Sequence, residues 1–111
     1  MPPAHSAAIV SEILNDSKLK ESWQDELKTM RDRVKAARCE LSRFSQGMRQ
    51  LECIPMQKGI FSLLPIEAKQ VKQFAKEHAI YMPPSGRINI AGLKTGDAQR
   101  FCDAMAEIRL A

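Results

Sequence analysis

Residues 17–51 read SKLKESWQDELKTMRDRVKAARCELSRFSQGMRQL. Apolar side chains recur in this stretch at steps of three and four residues: Leu19, Trp23, Leu27, Met30, Val34, Ala37, Leu41, Phe44, Met48 and Leu51. Because an α-helix turns once every 3.6 residues, this spacing predicts a long amphipathic helix of about eight to nine turns. We expect its apolar face to pack against other elements and Gly47 to mark where the helix begins to end. A self-associating coiled coil is the alternative, disfavoured because the flanking positions are not consistently charged.

The residues before this helix form a shorter helical segment. Pro2 and Pro3 favour an extended start, and residues 6–14 carry apolar side chains at helical spacing. We expect Asn15, Asp16 and Ser17 to end this short helix and to cap the next one. Their side chains accept hydrogen bonds from the first free N–H groups of a helix.

The sequence after Pro55 alternates between strand and helix patterns. Residues 59–64 read as a buried strand closed by Pro65, 79–82 as a short strand and 87–92 as a half-buried strand. Residues 66–78 return to helical spacing, with Val71, Phe74 and Ala75 inward. A last helix follows Thr95-Gly96-Asp97, and one of its faces carries Ala98, Phe101, Cys102, Met105 and Ile108. The predicted fold class is therefore α+β: a long amphipathic helix leading into a small sheet of about three strands covered by helices.

The composition is that of one globular domain. The chain has 111 residues, of which 44% are hydrophobic and 27% charged, and its apolar runs are far shorter than the ~20 residues of a membrane span. The start does not read as a signal peptide. Three cysteines without a CxxC pair indicate a reducing compartment. We therefore expect a soluble, cytoplasmic protein that does not bind a membrane.

The net charge of +4 suggests nucleic-acid binding only weakly. Basic and acidic residues are interleaved between Lys18 and Arg49, which is typical of a solvated helix face. Aromatic residues make up 5% of the chain, too few for a base-stacking surface. We expect no nucleic-acid partner.

Residue spacing alone predicts neither a metal site nor a catalytic residue. His5 and His78 have no Cys or carboxylate at ligand spacing, and the glycines do not cluster into a phosphate-binding loop. Cys39 and Cys102 fall on or beside apolar faces, so we expect buried packing residues, whereas Cys53 falls in a loop.

Arg87 stands apart because residues 80–93 contain no other charge. It opens a predicted strand directly after a Pro-Pro-Ser-Gly turn. An arginine in such surroundings either pairs with a carboxylate, which its planar guanidinium suits, or points to solvent at the strand end. Composition alone favours the solvent-pointing interpretation.

Ile80-Tyr81 followed by Ser85-Gly86-Arg87-Ile88-Asn89-Ile90-Ala91-Gly92 resembles the C-terminal signature of the aspartate and aromatic amino-acid aminotransferases, the class I group of pyridoxal-phosphate fold type I. The resemblance covers essentially the whole chain, with departures at Ser6, at Glu67-Ala68 and in the shorter segment 51–58. Further matching motifs, in order, are Pro2-Pro3-Ala4-His5 with Ala7, then Trp23, Glu26-Leu27, Met30-Arg31, Gly59-Ile60-Phe61-Ser62 and Gln70-Val71.

The resemblance implies two substrate-binding residues. Arg87 matches the family's arginine that binds the substrate α-carboxylate, and Phe61 matches the aromatic residue that closes over the site. The alternative for Phe61 is a core phenylalanine on a buried strand. Ser85 and Gly86 are expected to shape the turn before Arg87, with glycine permitting a positive φ if the turn requires it.

The resemblance also implies that the complete enzyme transfers an amino group between an amino acid and a 2-oxo acid with pyridoxal 5'-phosphate. The family's Schiff-base lysine belongs to the large domain, and no lysine here matches its motif. We therefore expect no cofactor bound to this fragment alone and no transamination by it. The resemblance does not decide between aspartate and aromatic substrates.

The predicted domain organisation follows from the same resemblance. Residues 1–111 correspond to the C-terminal small domain, with a leading segment and short helix at 1–15 and the long interdomain helix at 17–51. We expect a truncated or split-off chain whose partner is the missing large domain and whose full-length relatives are homodimers. The alternative is a non-catalytic remnant that acts as a dimerisation or interaction module through its long helix.

Overall fold

A computed structural model describes residues 2–110, with the side chains of residues 2–108. The α-helices are α1 (Ala4–Asn15), α2 (Ser17–Phe44), α3 (Ala68–His78) and α4 (Asp97–Leu110). The strands are β1 (Phe61–Leu63) and β2 (Arg87–Asn89), and short 3-10 helices lie at Arg49–Leu51, Ile54–Met56 and Ile90–Gly92. The fold is α+β, but within the described residues the sheet has two strands and not about three.

The predicted strand at residues 79–82 is wrong. Ala79 ends α3 in the left-handed conformation, with φ 52°, and the N–H of Ile80 donates to the carbonyl of Phe74 at 3.1 Å. Pro83 and Pro84 follow and have no N–H to donate. The start of the segment therefore serves as the end of a helix, and no residue of 79–82 pairs with β1 or β2.

The long helix α2 ends at Phe44, so its predicted continuation to Leu51 is wrong. Gly47 lies just beyond the helix with φ 81°, a conformation that side chains with a Cβ rarely adopt. The chain then turns into the 3-10 helix at Arg49–Leu51. The expectation that the helix begins to end near Gly47 is confirmed.

The two other predicted strands and the helix predicted at 66–78 exist but are shorter, whereas α1 is longer than the predicted 6–14. β1 and β2 hold three residues each, and Ile90–Gly92, predicted as strand, forms a 3-10 helix. α3 begins at Ala68, because the N–H of Glu67 donates to the Gln70 side-chain oxygen at 2.9 Å and so caps the helix start.

The junction between α1 and α2 agrees with the capping prediction. The carboxylate of Asp16 accepts hydrogen bonds from the N–H groups of Lys18 at 2.9 Å and of Leu19 at 3.0 Å. These are two of the donors that a helix start leaves without an intrahelical partner. Asp16 therefore begins the second helix where the first one ends.

The chain forms two compact units, and their boundary between Arg33 and Val34 falls within α2. The first unit has no buried residue in α1, and it leaves seven large apolar side chains exposed: Ile9, Val10, Leu14, Leu19, Trp23, Leu27 and Met30. The expectation that the whole apolar face of α2 is packed is therefore wrong for this part, where Leu19, Trp23, Leu27 and Met30 are each at least 40% exposed. No helix among residues 2–110 is long and apolar enough to cross a membrane.

The second unit contains the core. Phe74 of α3 and Phe101 of α4 stack with ring centroids 5.5 Å apart. Cys102 is buried as predicted, but Cys39 is exposed, since it lies on the side of α2 that faces away from the core residue Leu41. The buried cluster consists of Leu41, Leu51, Ile54, Leu64, Phe74, Ile90, Ala98, Phe101, Cys102, Ala104, Met105 and Ile108.

Candidate functional site

The two strands pair antiparallel, and their register places the candidate residues on one face. Phe61 lies opposite Asn89 and Leu63 opposite Arg87, and all four are exposed. Successive side chains of a strand point to opposite faces, so Ser62 points inward and is buried. Phe61 is 48% exposed, which excludes the alternative of a core phenylalanine on a buried strand.

Arg87 and Phe61 contact each other diagonally across the strands. The guanidinium carbon of Arg87 lies over the Phe61 ring, 4.8 Å from its centroid. A cation is attracted to the face of an aromatic ring at this distance. Within the described residues no carboxylate forms an ion pair with Arg87, so its N–H donors stay available to an external anion.

The turn before Arg87 requires glycine. Gly86 has φ 78°, its N–H donates to the carbonyl of Pro83 at 3.0 Å, and its own carbonyl accepts from the N–H of Leu64 at 3.0 Å. A Cβ at this position would lie 2.7 Å from the backbone oxygen of Leu64 and 3.0 Å from Cγ1 of Ile66. Gly86 therefore lets the two strands meet closely at the start of β2.

Sequence reasoning missed Gln57, which pairs with the open edge of β1. Its side-chain N–H₂ donates to the carbonyl of Leu63 at 3.1 Å, and its oxygen accepts from the N–H of Leu63 at 3.2 Å. The amide thus satisfies the backbone N–H and C=O of Leu63 at the sheet edge, as a neighbouring strand would. Leu63 is the residue that pairs with Arg87 in the sheet register. Nothing in the local sequence pattern distinguishes this glutamine from a loop residue.

Sequence reasoning also missed Arg38, a buried arginine on α2. Its side chain is 7% exposed and donates to the carbonyls of Ile54 and Gly59 and to the hydroxyl of Ser62. A signal was present, because Arg38 falls four residues after Val34 and three before Leu41, on the apolar side of the helix. A charge at such a position must find polar partners inside the fold.

The remaining candidate side chains do not join this site. The imidazole Nε2 of His78 lies 3.4 Å from a carboxylate oxygen of Glu107, and His5 is exposed on α1. Burial, with a smaller contribution from Asp103, raises the pKa of the Cys102 thiol to about 11. Among the described residues no group of three His, Cys, Asp or Glu side chains could hold a metal ion.

Comparison with known proteins identifies one family. The family model for aminotransferase class I and II matches residues 1–105. The tyrosine aminotransferase of Rhizobium meliloti is 47% identical over 102 residues, which are 88% of this chain and 25% of that protein. The aspartate aminotransferase of Haemophilus influenzae is 33% identical over 96% of this chain and 28% of that protein.

Solved structures show the same fold. The aromatic-amino-acid aminotransferase of Burkholderia pseudomallei, covalently bound to pyridoxal phosphate, superposes with a TM-score of 0.87 at 34% identity. The match covers 96% of this chain and 28% of that one. The chain therefore spans about a quarter of the length of the relatives it matches.

The described residues do not fit pyridoxal phosphate. A Schiff base needs a lysine held in a pocket, whereas every lysine here is exposed. Lys18 does line a surface groove, but Glu21, Asp25 and Glu26 line it too, and their charges repel a phosphate. Within residues 2–108, the guanidinium of Arg87 beside Phe61 is an exposed cation that forms no ion pair with a carboxylate.

Proposed function

Because the chain belongs to the aminotransferase class I and II family, we propose that it is the small-domain part of an aspartate or aromatic amino-acid aminotransferase and binds the substrate α-carboxylate through Arg87. The match covers about a quarter of each relative, so the activity of the whole enzyme belongs to this proposal. The remaining parts of the proposal are the domain boundaries 1–111, a large-domain partner and a homodimeric complete enzyme.

One observation carries the proposal: Arg87 is exposed beside Phe61 and has no carboxylate partner in residues 2–110. The ring accepts no ordinary hydrogen bond, so the planar N–H groups can donate to both oxygens of a carboxylate. Phe61 and Leu63 add apolar surface next to that donor set. When a substrate with an apolar side chain binds, this surface displaces water from the ion pair between Arg87 and the substrate carboxylate. The attraction between the two charges is then stronger, because less water screens it.

The contribution of this chain is to bind and to orient. An α-carboxylate fixed by two parallel hydrogen bonds leaves the amino group of the substrate in a defined direction. When bound in the complete enzyme, pyridoxal phosphate supplies the electron sink for amino-group transfer. We assign its lysine and its pocket to the large domain, so this chain alone does not catalyse transamination.

The carboxylate site is tested by NMR titration of the chain with 3-phenylpropionate, observing the Arg87 side-chain Nε–Hε resonance. We expect a saturable shift that the neutral 3-phenylpropanamide does not produce. Arg87→Lys weakens binding by about tenfold, since a lysine cannot offer the planar pair of donors. The matched control is Arg100→Lys on α4, whose guanidinium donates to the carbonyl of His78. No saturable shift, or equal weakening by the control, rejects the site.

The enzymatic part is tested by pyridoxal-phosphate absorbance, with the chain alone and mixed with the separately produced large domain of a relative. We expect a shifted, substrate-sensitive band in the mixture only. Arg87→Ala should weaken the response of this band to substrate. A mixture without such a band contradicts the assignment of this chain to the small-domain part of an aminotransferase.

A second candidate function, self-association, rests on the exposed apolar side chains of the first unit. Trp23, Leu27 and Met30 of α2 are each at least 40% exposed. Contiguous apolar surface of this kind favours association in water. Sedimentation velocity over a concentration series tests it. A dimer that the substitution Leu27→Glu dissociates supports self-association, and a monomer at all concentrations rejects it.

A further inference from the structure

Arg38 is a buried cation whose partners are all neutral. Its guanidinium nitrogens donate to the carbonyl of Ile54 at 3.1 Å, to the carbonyl of Gly59 at 2.7 Å and to the hydroxyl of Ser62. No carboxylate in the described part of the chain pairs with it. A buried charge without an opposite charge is costly, so such a residue is weak evidence for added stability. Its geometry indicates another role.

The three acceptors belong to the segment that leads into β1 and to β1 itself. Gly59 lies two residues before Phe61, and Ser62 lies directly after it. Arg38 therefore holds the backbone carbonyl of Gly59 before Phe61 and the side-chain hydroxyl of Ser62 after it. Both hydrogen bonds come from the side chain of Arg38, and Arg38 is buried, with an exposed fraction of 7%.

The sequence around β1 does not by itself decide which side chains face inward. Ile60, Phe61, Leu63 and Leu64 are all apolar, and Ser62 is the one polar residue among them. A strand that shifts by one residue exchanges its two faces. A shift of this kind would turn Phe61 into the core and Ser62 to solvent. The donation from Arg38 to the Ser62 hydroxyl opposes it, because the shift would remove one of the three acceptors of a buried guanidinium group.

We propose that Arg38 is a positioning residue of the substrate site: by holding Gly59 and Ser62, it keeps Phe61 on the same face of the sheet as Arg87. The catalytic relevance of this role rests on the function proposed above. The positioning itself is a property of the free chain and is measured without substrate. Arg38 does not contact the substrate, since its side chain is buried on α2.

The test uses the side-chain protons of Arg87, whose chemical shifts the ring current of Phe61 displaces. Phe61→Leu gives the undisplaced reference. The test variants are Arg38→Met, Arg38→Lys and Ser62→Ala, each also measured by thermal unfolding and by titration with 3-phenylpropionate. The matched control is Val71→Ala, which removes buried volume on α3, a helix that contains none of the groups that Arg38 holds.

Positioning predicts that Arg38→Met and Ser62→Ala move the Arg87 proton shifts toward the reference, whereas Val71→Ala leaves them unchanged at a similar loss of stability. Arg38→Lys should recover only part of the displacement, because lysine lacks the fixed fork of donors. We expect the dissociation constant for 3-phenylpropionate to rise by about tenfold in Arg38→Met.

Several results would overturn the inference. If Arg38→Met does not fold, Ser62→Ala decides alone, because it removes one acceptor and keeps the buried arginine. Unchanged Arg87 shifts in Ser62→Ala mean that Arg38 has no positioning role, and so does an equal change in Val71→Ala. If the parent chain does not bind 3-phenylpropionate but the Arg87 proton shifts change in the variants as expected, the proposed function is rejected and the positioning role is supported.

Discussion

The guanidinium carbon of Arg87 lies 4.8 Å from the centroid of the Phe61 ring, diagonally across the two strands of the sheet. The antiparallel register produces this contact, since it pairs Leu63 with Arg87. Phe61 lies two residues before Leu63 and therefore on the same face of the sheet. Diagonal neighbours on one face of a sheet are within reach of long and aromatic side chains. The pair therefore depends on the register of β1 and on the turn that starts β2.

Phe61→Ala should cost little stability although phenylalanine is a large apolar residue. The side chain is 48% exposed, so we expect a loss of about 1 kcal/mol in the free energy of unfolding. Phe74→Ala, at a fully buried position, should cost about 3–5 kcal/mol. Urea unfolding of both variants measures the difference. Equal losses would mean that Phe61 is a core residue after all.

Gly86→Ala should strongly destabilise the chain. The substitution combines a positive φ of 78° with a Cβ placed 2.7 Å from the oxygen of Leu64, and we expect a loss of about 3 kcal/mol. Gly59→Ala is the matched control, because its φ is 88° but nothing lies within 4 Å of the added Cβ. This control should cost about 1 kcal/mol. Similar losses in the two variants would show that the close contact at Gly86 is unimportant.

Gln57→Ala should loosen the edge of β1. The variant loses two hydrogen bonds to the backbone of Leu63, and we expect a loss of about 1 kcal/mol. Amide hydrogen exchange at Leu63 should become about tenfold faster. Gln99→Ala, an exposed glutamine on α4, is the control and should leave this exchange rate unchanged. An unaltered rate in Gln57→Ala would contradict the edge pairing.

The thiol of Cys102 should make stability fall in alkaline solution. Burial raises its pKa in the folded chain from 9.0 to about 11, so between these values the unfolded chain releases a proton that the folded chain keeps. Unfolding is then favoured as pH rises from 9 to 11, by up to about 3 kcal/mol. The difference in unfolding free energy between the parent and Cys102→Ala isolates this contribution. A difference that stays constant over this range would contradict the raised pKa.

Two of the three cysteines, Cys39 and Cys102, should differ in their rates of alkylation. Cys39 is exposed and should react with iodoacetamide in the folded chain, whereas Cys102 should react only on unfolding. Mass spectrometry of the labelled peptides at pH 8 measures both. Fast labelling of Cys102 without denaturant would show that the core around it opens.

Several features were predictable because they depend on neighbouring residues in the chain. Asp16 caps α2 through bonds two and three residues away, and Gly47 and Gly86 adopt the positive φ that their turns need. Cys102 is buried because it belongs to a helix face with the spacing of a core. The resemblance on residues 80–92 likewise selected Arg87 as a candidate from a contiguous stretch, and its role stays a prediction.

The predictions failed where partners distant in the chain decide the outcome. The sequence predicted the apolar face of α2 as core, but Leu41 is the one apolar residue of α2 that is buried. It left open whether Phe61 is buried, since the apolar residues beside it fit either face of a strand.

The sequence by itself determined the α+β class, the cap of α2 at Asp16 and the position of Arg87 after a glycine turn, because short-range backbone geometry controls these features. Only the tertiary structure decided that Phe61 lies against Arg87. That contact follows from the pairing of β1 with β2 and from the bonds of Arg38 to Gly59 and Ser62. Such bonds join residues more than twenty positions apart, and no local pattern encodes them.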